Sequence, residues 1–285
     1  MTVKNNSADS SMKEQPSKTQ ASVVCEVMHN GYISNTIFSL SVLWFGPPPK
    51  AGQFFMLKPP HSSFFLARPI SVALWDSMTN ILQFLIEIRG KGTQELSNME
   101  GWDYIELTGP LGNAWTDFLP KPQKSQKEKP IALVGGGLGI APLKALVAEA
   151  PDYRFDFYCG FKTGFEGADV RSEMLGRTFD ICDKQVIATE DGSEGRKGLI
   201  LDFFEPHNYA AVCACGPAAM LKATAAKCRA VNVHCFVSME ARMACGVGAC
   251  LGCTIETASG NRRCCADGPI FRAQDVFFDK ETSHE

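Results

Sequence analysis

The central segment of the chain reads Ile131-Ala-Leu-Val-Gly135-Gly-Gly-Leu-Gly139-Ile-Ala-Pro-Leu143. Its pattern predicts a buried strand over Ile131–Val134, a tight glycine turn and a helix over Ala141–Ala150, with Pro142 tolerated in the first helical turn. Glycines at such a turn let a phosphate approach the backbone, where a helix N-terminus offers free N–H groups. We therefore expect a nucleotide site here, with a ligand-free turn as the alternative. The candidate glycines are Gly135, Gly136, Gly137 and Gly139.

Beyond this turn, short apolar runs alternate with a helical segment. Strands are predicted over Arg154–Tyr158, Gln185–Thr189 and Ala210–Ala214, and a helix over Ala218–Ala230. This alternation predicts a parallel sheet with helices packed on its faces. The strand predicted over Arg154–Tyr158 runs into Cys159-Gly-Phe-Lys. It lacks the acidic residue that holds a ribose in the standard dinucleotide fingerprint. The pattern therefore does not distinguish NAD from NADP.

The residues before the central segment follow a different pattern. Residues 22–120 contain short runs rich in Val, Ile, Phe and Thr, separated by Gly and Pro, which predicts antiparallel strands closing into a small barrel. Polar residues 1–21 predict a disordered tail, and the charged, proline-bracketed residues 121–130 predict a linker. The predicted fold class is thus an antiparallel barrel joined to an α/β domain over 131–232, with a small C-terminal domain over 233–285.

The C-terminal region holds a cysteine loop. Cys245, Cys250 and Cys253 are spaced C-x4-C-x2-C, and the doublet Cys264-Cys265 follows downstream. This spacing is that of plant-type [2Fe–2S] proteins, whereas a structural zinc site usually shows two separated short cysteine pairs. The alternative is a group of buried, inert cysteines. The loop predicts an iron–sulfur cluster and hence a protein that handles electrons.

Three further motifs indicate ligand sites. Cys215-Gly216-Pro217 follows a predicted strand, at the edge of the sheet where open α/β folds bind ligands, although Cys215 could be a buried core thiol. In the barrel region, Arg68-Pro69-Ile70-Ser71 offers an always-charged guanidinium, and Gly90-Lys-Gly92-Thr93 offers backbone N–H groups suited to a pyrophosphate. A surface arginine and a hairpin turn are the plainer alternatives for these two.

Composition narrows the class of protein. The 285 residues carry a net charge of −3 with both signs interspersed, which favours neither nucleic acid nor an anionic membrane as partner. No signal peptide and no membrane-spanning apolar run is visible. Twelve cysteines in such a chain indicate metal or redox chemistry in a reducing compartment, so we expect a cytoplasmic protein.

Taken in order, the motifs resemble the electron-transfer subunits of the two-subunit, NAD-linked dihydroorotate dehydrogenases, within the ferredoxin–NADP reductase group. The resemblance covers about residues 22–278 and is most specific at EARMACGVGACLGC (240–253) and CADGPIF (265–271). The other matching motifs are RPIS (68–71), GKGT (90–93), PLGN (110–113), GGGLGIAPL (135–143), EDGSEGRKG (190–198) and CGPAAM (215–220).

The resemblance implies three cofactor sites and no catalytic residue in this chain. NAD would lie over the glycine turn and Cys215–Pro217. The residues implied for FAD are Arg68, Pro69, Ile70 and Ser71 along the flavin, Gly92 and Thr93 at the phosphates, and Leu85, Ile86 and Glu87 beside it. The cluster ligands implied are Cys245, Cys250, Cys253 and Cys265. Since successive residues of an extended chain point to opposite sides, only one cysteine of the doublet should reach the cluster, and the C-x-D-G-P pattern selects Cys265.

The resemblance also implies a partner. Electrons would pass from an FMN-containing, dihydroorotate-oxidising subunit through the [2Fe–2S] cluster and FAD to NAD+, in a heterotetramer that serves pyrimidine biosynthesis. One alternative keeps the cofactors and makes the chain a FAD/[2Fe–2S] NAD(P)H oxidoreductase subunit of a hydrogenase or a ferredoxin-dependent complex. Another is a redox-sensing or zinc-binding regulator.

Overall fold

The structure is a computed structural model that describes residues 21–121, 129–165, 168–176 and 179–278. Within these residues lie two seven-stranded sheets and one two-stranded hairpin. This arrangement confirms the predicted fold class of an antiparallel barrel combined with a parallel α/β sheet. Residues 1–20 of the expected tail and 122–128 of the expected linker lie outside the described residues.

The first sheet is the antiparallel one. Its elements in chain order are β1 (Val23–Tyr32), β2 (Ile37–Leu43), β3 (Phe54–Lys58), β4 (Arg68–Ser71), β5 (Leu74–Asp76), β6 (Ile81–Glu87), the helix α1 (Lys91–Ser97) and β7 (Tyr104–Leu111). The strands pair in the order β4-β3-β7-β1-β2-β6-β5. Two consecutive residues after β4 join the ends of this sheet, because Val72 N–H donates to Gln53 O and Ala73 N–H donates to Gln83 O, each at 3.0 Å. The sheet therefore curls into a barrel.

Alternation along the strands fills the barrel. Leu82, Phe84 and Ile86 on β6 are buried in one apolar cluster, while the intervening Leu85 faces a different cluster that includes α/β residues. The Phe55 ring lies 4.9 Å from that of Trp44 and 5.9 Å from that of Phe84, both edge to face. Such pairs add to the stability gained from burying the rings.

The second sheet is mostly parallel. Its first elements are β8 (Ile131–Gly136), α2 (Ile140–Glu149), β9 (Phe155–Phe161), α3 (Ala168–Leu175), β10 (Lys184–Thr189), β11 (Arg196–Lys197), β12 (Ala211–Cys215), α4 (Ala218–Ala230) and β13 (His234–Ser238). Successive residues of β8 face opposite sides: Leu133 packs in the cluster that contains α2, and Val134 in the cluster that contains α4. Because β8 lies between β9 and β12, the strand order reverses there, which creates the crevice where ligands bind in such sheets.

The C-terminal region completes this sheet. It contains β14 (Thr254–Thr257), β15 (Gly260–Arg263), the short helix α5 (Cys264–Asp267) and β16 (Ile270–Arg272). β14 and β15 form the hairpin, and β16 pairs antiparallel with β13 at the edge of the parallel sheet. The segment that carries the cysteines is therefore attached to the α/β sheet at its end. No helix within the described ranges combines the length and the apolar character that a bilayer span requires.

Replacing Phe84 by alanine should destabilise the barrel by about 3–5 kcal/mol, because the ring is fully buried and the remaining cavity cannot be refilled. Phe45→Ala is the matched control: that ring is 78% exposed, so we expect a change within about 0.5 kcal/mol. Urea unfolding followed by tryptophan fluorescence measures both. Equal losses would mean that the barrel core is not packed as described.

Candidate functional site

The cysteine loop after β13 lies against the barrel. Gly246 and Gly248 have φ angles of 70° and 81°, in the left-handed region that glycine adopts without strain. A Cβ on Gly246 would lie 2.7 Å from Met56 Cγ of β3, so the loop backbone packs directly on that strand. A side chain at this position would push the cysteines away from the barrel.

The structure brings the four predicted cluster ligands together as two pairs. The Sγ atoms of Cys253 and Cys265 are 3.2 Å apart, and Cys250 N–H donates to Cys245 Sγ at 3.4 Å. Further backbone donors reach the first pair, from Gly248 N to Cys265 Sγ at 3.1 Å and from Cys265 N to Cys253 Sγ at 3.4 Å. In the described part of the chain, no group of three or more His, Cys, Asp or Glu side chains is arranged so that it could hold a metal ion. Two thiol pairs with N–H groups aimed at sulfur fit a cluster of two irons.

The electrostatics differ between the two pairs. Desolvation raises the pKa of Cys245, but hydrogen bonds from the backbone of Cys250, Val247 and Ala249 outweigh it and lower the pKa to about 6. Burial, together with the neighbouring Cys253, raises the pKa of Cys265 to about 12. The positive charge of bound iron would therefore have to offset the cost of burying the second pair as thiolates. The nearest cation on the hairpin is Arg263, whose Nε donates to Asp267 Oδ2 at 3.0 Å.

The Cys264-Cys265 doublet is not extended, so the extended conformation predicted for it is wrong. Cys264 and Cys265 begin the helical turn α5, yet their side chains still separate. Cys264 Sγ donates to the carbonyl oxygen of Met239 at 3.0 Å, and burial raises the pKa of its thiol. Cys264 is thus occupied as a neutral, buried donor, which supports Cys265 as the fourth ligand.

The structure also brings the two predicted dinucleotide motifs into contact. They meet where the strand order reverses, at the ends of β8 and β12. A Cβ on Gly139 would overlap the carbonyl oxygen of Cys215, and one on Gly136 would lie 2.8 Å from Pro217 Cδ. Gly137, by contrast, has φ 54° and nothing within 4 Å of such a Cβ, so its surroundings are open. Burial raises the pKa of Cys215 to about 12, which makes it a neutral thiol rather than a nucleophile.

The barrel motifs adjoin each other as well. Residues 90–93 are not a hairpin turn, because α1 begins at Lys91. A Cβ on Gly92 would overlap the guanidinium of Arg68, so the charged fork lies on the glycine. Thr93 Oγ1 accepts from the N–H of Arg89 at 3.0 Å and closes this first turn. In the strand predicted to run beside the flavin, Leu85 and Ile86 are buried. Arg89 Nε lies 2.6 Å from Glu87 Oε2.

Sequence reasoning missed the residues that connect these sites. Met56 pairs with Pro69 across β3 and β4 and touches the cysteine loop at Gly246. Glu240, just beyond β13, lies 3.8 Å from Arg89 on the barrel. Glu240 could have been predicted as a site residue, because it follows a strand of the parallel sheet. Met56 could not, because an apolar residue inside a strand carries no comparable signal.

Comparison with protein families matches residues 240–277 to the iron–sulfur cluster binding domain of dihydroorotate dehydrogenase B. This range contains the four paired cysteines, and it ends within the described residues.

Among curated proteins, one similar relative is the electron transfer subunit of dihydroorotate dehydrogenase B (NAD+) from Clostridium acetobutylicum. It is 36% identical over 256 residues, which cover 88% of this chain and 95% of that protein. The subunit of the same name from Clostridium perfringens is 38% identical over 232 residues, covering 80% and 87% respectively.

Among solved structures, the chain resembles an NADH-dependent reduced ferredoxin–NADP oxidoreductase studied for flavin-based electron bifurcation. The TM-score is 0.73 at 25% identity, and the match covers 90% of this chain and 91% of that one. The ferredoxin–NADP reductase fold expected from the motifs is thereby confirmed.

Replacing Cys265 by serine should abolish the cluster, because the Cys265 thiol lies beside Cys253. Cys264→Ser, the adjacent matched control, should retain it. Iron and acid-labile sulfide content, with visible circular dichroism, measures this after anaerobic reconstitution. Loss of the cluster in Cys264→Ser with retention in Cys265→Ser would reverse the ligand assignment.

Gly139→Ala should weaken NADH binding by more than about tenfold, equivalent to about 1.4 kcal/mol, since its Cβ would force the two glycine motifs apart. Gly260→Ala, on the β14–β15 hairpin away from the crevice, also has a positive φ and free space around its Cβ. It should lose about 1 kcal/mol of stability and keep its affinity for NADH. Titration of the oxidised protein with a non-reducing NADH analogue gives both affinities. Equal affinities for the two variants would exclude this crevice as the dinucleotide site.

Proposed function

This chain belongs to the family of dihydroorotate dehydrogenase B (NAD+) electron transfer subunits, and on that premise we propose how its residues perform the transfer. The chain passes electrons from a dihydroorotate-oxidising catalytic subunit through a [2Fe–2S] cluster and FAD to NAD+. Family membership and the cluster-domain match decide against a subunit of a hydrogenase or ferredoxin-dependent complex, and against a zinc-binding regulator.

One observation carries this proposal: the cysteine loop packs on a barrel strand that pairs with the strand of the flavin motif. Gly246 packs on Met56, and Met56 pairs with Pro69 of the Arg68–Ser71 motif. On the other side, β6, the strand of Leu85, contacts the glycine turn at Gly137–Gly139. The three candidate sites are thus contiguous, as a chain of electron carriers requires.

Each site has a distinct task. When bound, the cluster supplies one-electron transfer and FAD supplies both one- and two-electron transfer, so together they couple a hydride donor or acceptor to single electrons. Cys245, Cys250, Cys253 and Cys265 hold the cluster, and the N–H groups of Gly248, Cys250 and Cys265 offset its negative charge. Arg68 would lie along the flavin, the first turn of α1 with Gly92 and Thr93 would hold the FAD phosphates, and the paired glycine motifs would let the dinucleotide approach the backbone.

The partner subunit supplies the chemistry on dihydroorotate. We propose that it carries FMN and that two copies of each chain form a heterotetramer. The face of this chain that docks the partner includes the tip of the cysteine loop. There Leu251 is 62% exposed, Val247 is 39% exposed, and Cys250 is also exposed. Two apolar side chains beside an exposed ligand suit a contact that excludes water around the cluster. The four candidate ligand cysteines form no disulfide, which supports a cytoplasmic location.

Co-production of the full chain with its candidate catalytic subunit tests this function. We expect the pair to co-purify and to reduce NAD+ with dihydroorotate, whereas neither subunit alone should do so. With Cys265→Ser in the complex, dihydroorotate oxidation by an artificial acceptor should persist while NAD+ reduction is lost. NAD+ reduction that survives without the cluster would contradict the proposed route.

A further inference from the structure

One barrel side chain holds the segment that follows the predicted fourth ligand. Asn113, just after β7, donates through Nδ2 to the carbonyl oxygens of Asp267 at 3.2 Å and Ile270 at 2.9 Å. Its Oδ1 accepts from Ile270 N–H at 3.0 Å, and its own N–H donates to Gly268 O at 2.7 Å. One residue thus uses both ends of its amide and its backbone to bind a segment more than 150 residues away.

The barrel approaches this segment so closely that side chains are excluded. A Cβ on Gly112, where φ is 79°, would lie 2.6 Å from Pro269 Cδ, and one on Gly52 would lie 2.5 Å from Ile270 Cδ1. Gln53 Nε2 donates to Gly112 O at 2.8 Å and supports the loop that carries Asn113. The contact is therefore a built junction rather than an incidental surface touch.

The same segment is fixed to the parallel sheet from its other side. Met239 N–H donates to Pro269 O at 2.8 Å, and β16 continues from Ile270 as the partner of β13. The short helix that carries Cys265 ends at Asp267. A displacement of Asp267–Ile270 would therefore move the Cys265 thiol relative to both the barrel and the sheet.

We propose that Asn113 is a positioning residue that sets the distance between the cluster and the flavin by holding the Asp267–Ile270 segment on the barrel. Its hydrogen-bond partners Asp267, Gly268 and Ile270 are not candidate cofactor residues, so it acts through the segment. The inference rests on the proposed function, since it assigns the cluster to Cys265 and its neighbours and FAD to the barrel. Electron transfer slows steeply with distance, so a small outward shift of the segment reduces the transfer rate without altering either cofactor's own chemistry.

Asn113→Ala in the full, reconstituted chain tests the proposal by stopped-flow absorbance after anaerobic mixing with NADH. Flavin reduction, which needs only the barrel and the sheet, should keep its rate and report that the fold is intact. Electron transfer from flavin to cluster should slow by about tenfold, equivalent to about 1.4 kcal/mol in the barrier, because the transfer rate falls steeply with distance. The control is Glu149→Ala, which removes a different contact between α2 and the barrel, at Ala51 N–H and Thr116, and should leave the rate of this step unchanged.

Hydrogen exchange provides a second readout that does not depend on electron transfer. In the full, reconstituted chain, the peptide 264–272 should exchange faster in Asn113→Ala than in wild type or Glu149→Ala. Unchanged exchange in this peptide overturns the proposal, as does an unchanged rate of cluster reduction. If wild-type protein binds both cofactors but NADH never reduces the cluster, the proposed function fails, and exchange alone then decides whether Asn113 holds the segment.

Discussion

The close packing of residues 267–270 between the barrel and the parallel sheet is the constraint on which the rest of the arrangement depends. The cysteine region has no separate core: Cys253, Cys264 and Cys265 lie in one apolar cluster with Met56 of the barrel and Val237 of the sheet. Its position is therefore determined by the two larger units together. A fixed geometry of this kind suits electron transfer, since carriers must stay close while the protein around them supplies no reacting groups.

Local patterns in the sequence were sufficient for much of the fold. The helix at Ala218–Ala230 matches its prediction, and the strands predicted over Arg154–Tyr158, Gln185–Thr189 and Ala210–Ala214 differ by a few residues at their ends. Glycine turns were recognisable because a left-handed φ or a close backbone contact requires glycine, as at Gly246 and Gly139. The cysteine spacing predicted three ligands and the family resemblance implied Cys265 as the fourth, and the structure brings these four together as two pairs.

Contacts between distant segments could not be predicted in this way. Nothing near Ile270 indicates that it forms an edge strand beside β13, because that pairing depends on residues more than 30 positions earlier. The sequence argument predicts an extended doublet at Cys264–Cys265, whereas the carboxylate of Asp267 accepts from Arg263 N–H at 2.7 Å and caps a helical turn there. Asn113 belonged to a recognised motif, but its hydrogen bonds to the cysteine region became visible only with the fold.

We propose that one chain joins a dinucleotide site, a flavin and an iron–sulfur cluster into a single path. Anaerobic titration of the reconstituted chain with NADH, followed by visible absorbance and electron paramagnetic resonance, tests this path. We expect FAD to bleach and the signal of a reduced [2Fe–2S] cluster then to rise in the same protein. A colourless zinc protein, or a cluster that stays oxidised while the flavin is fully reduced, would contradict it.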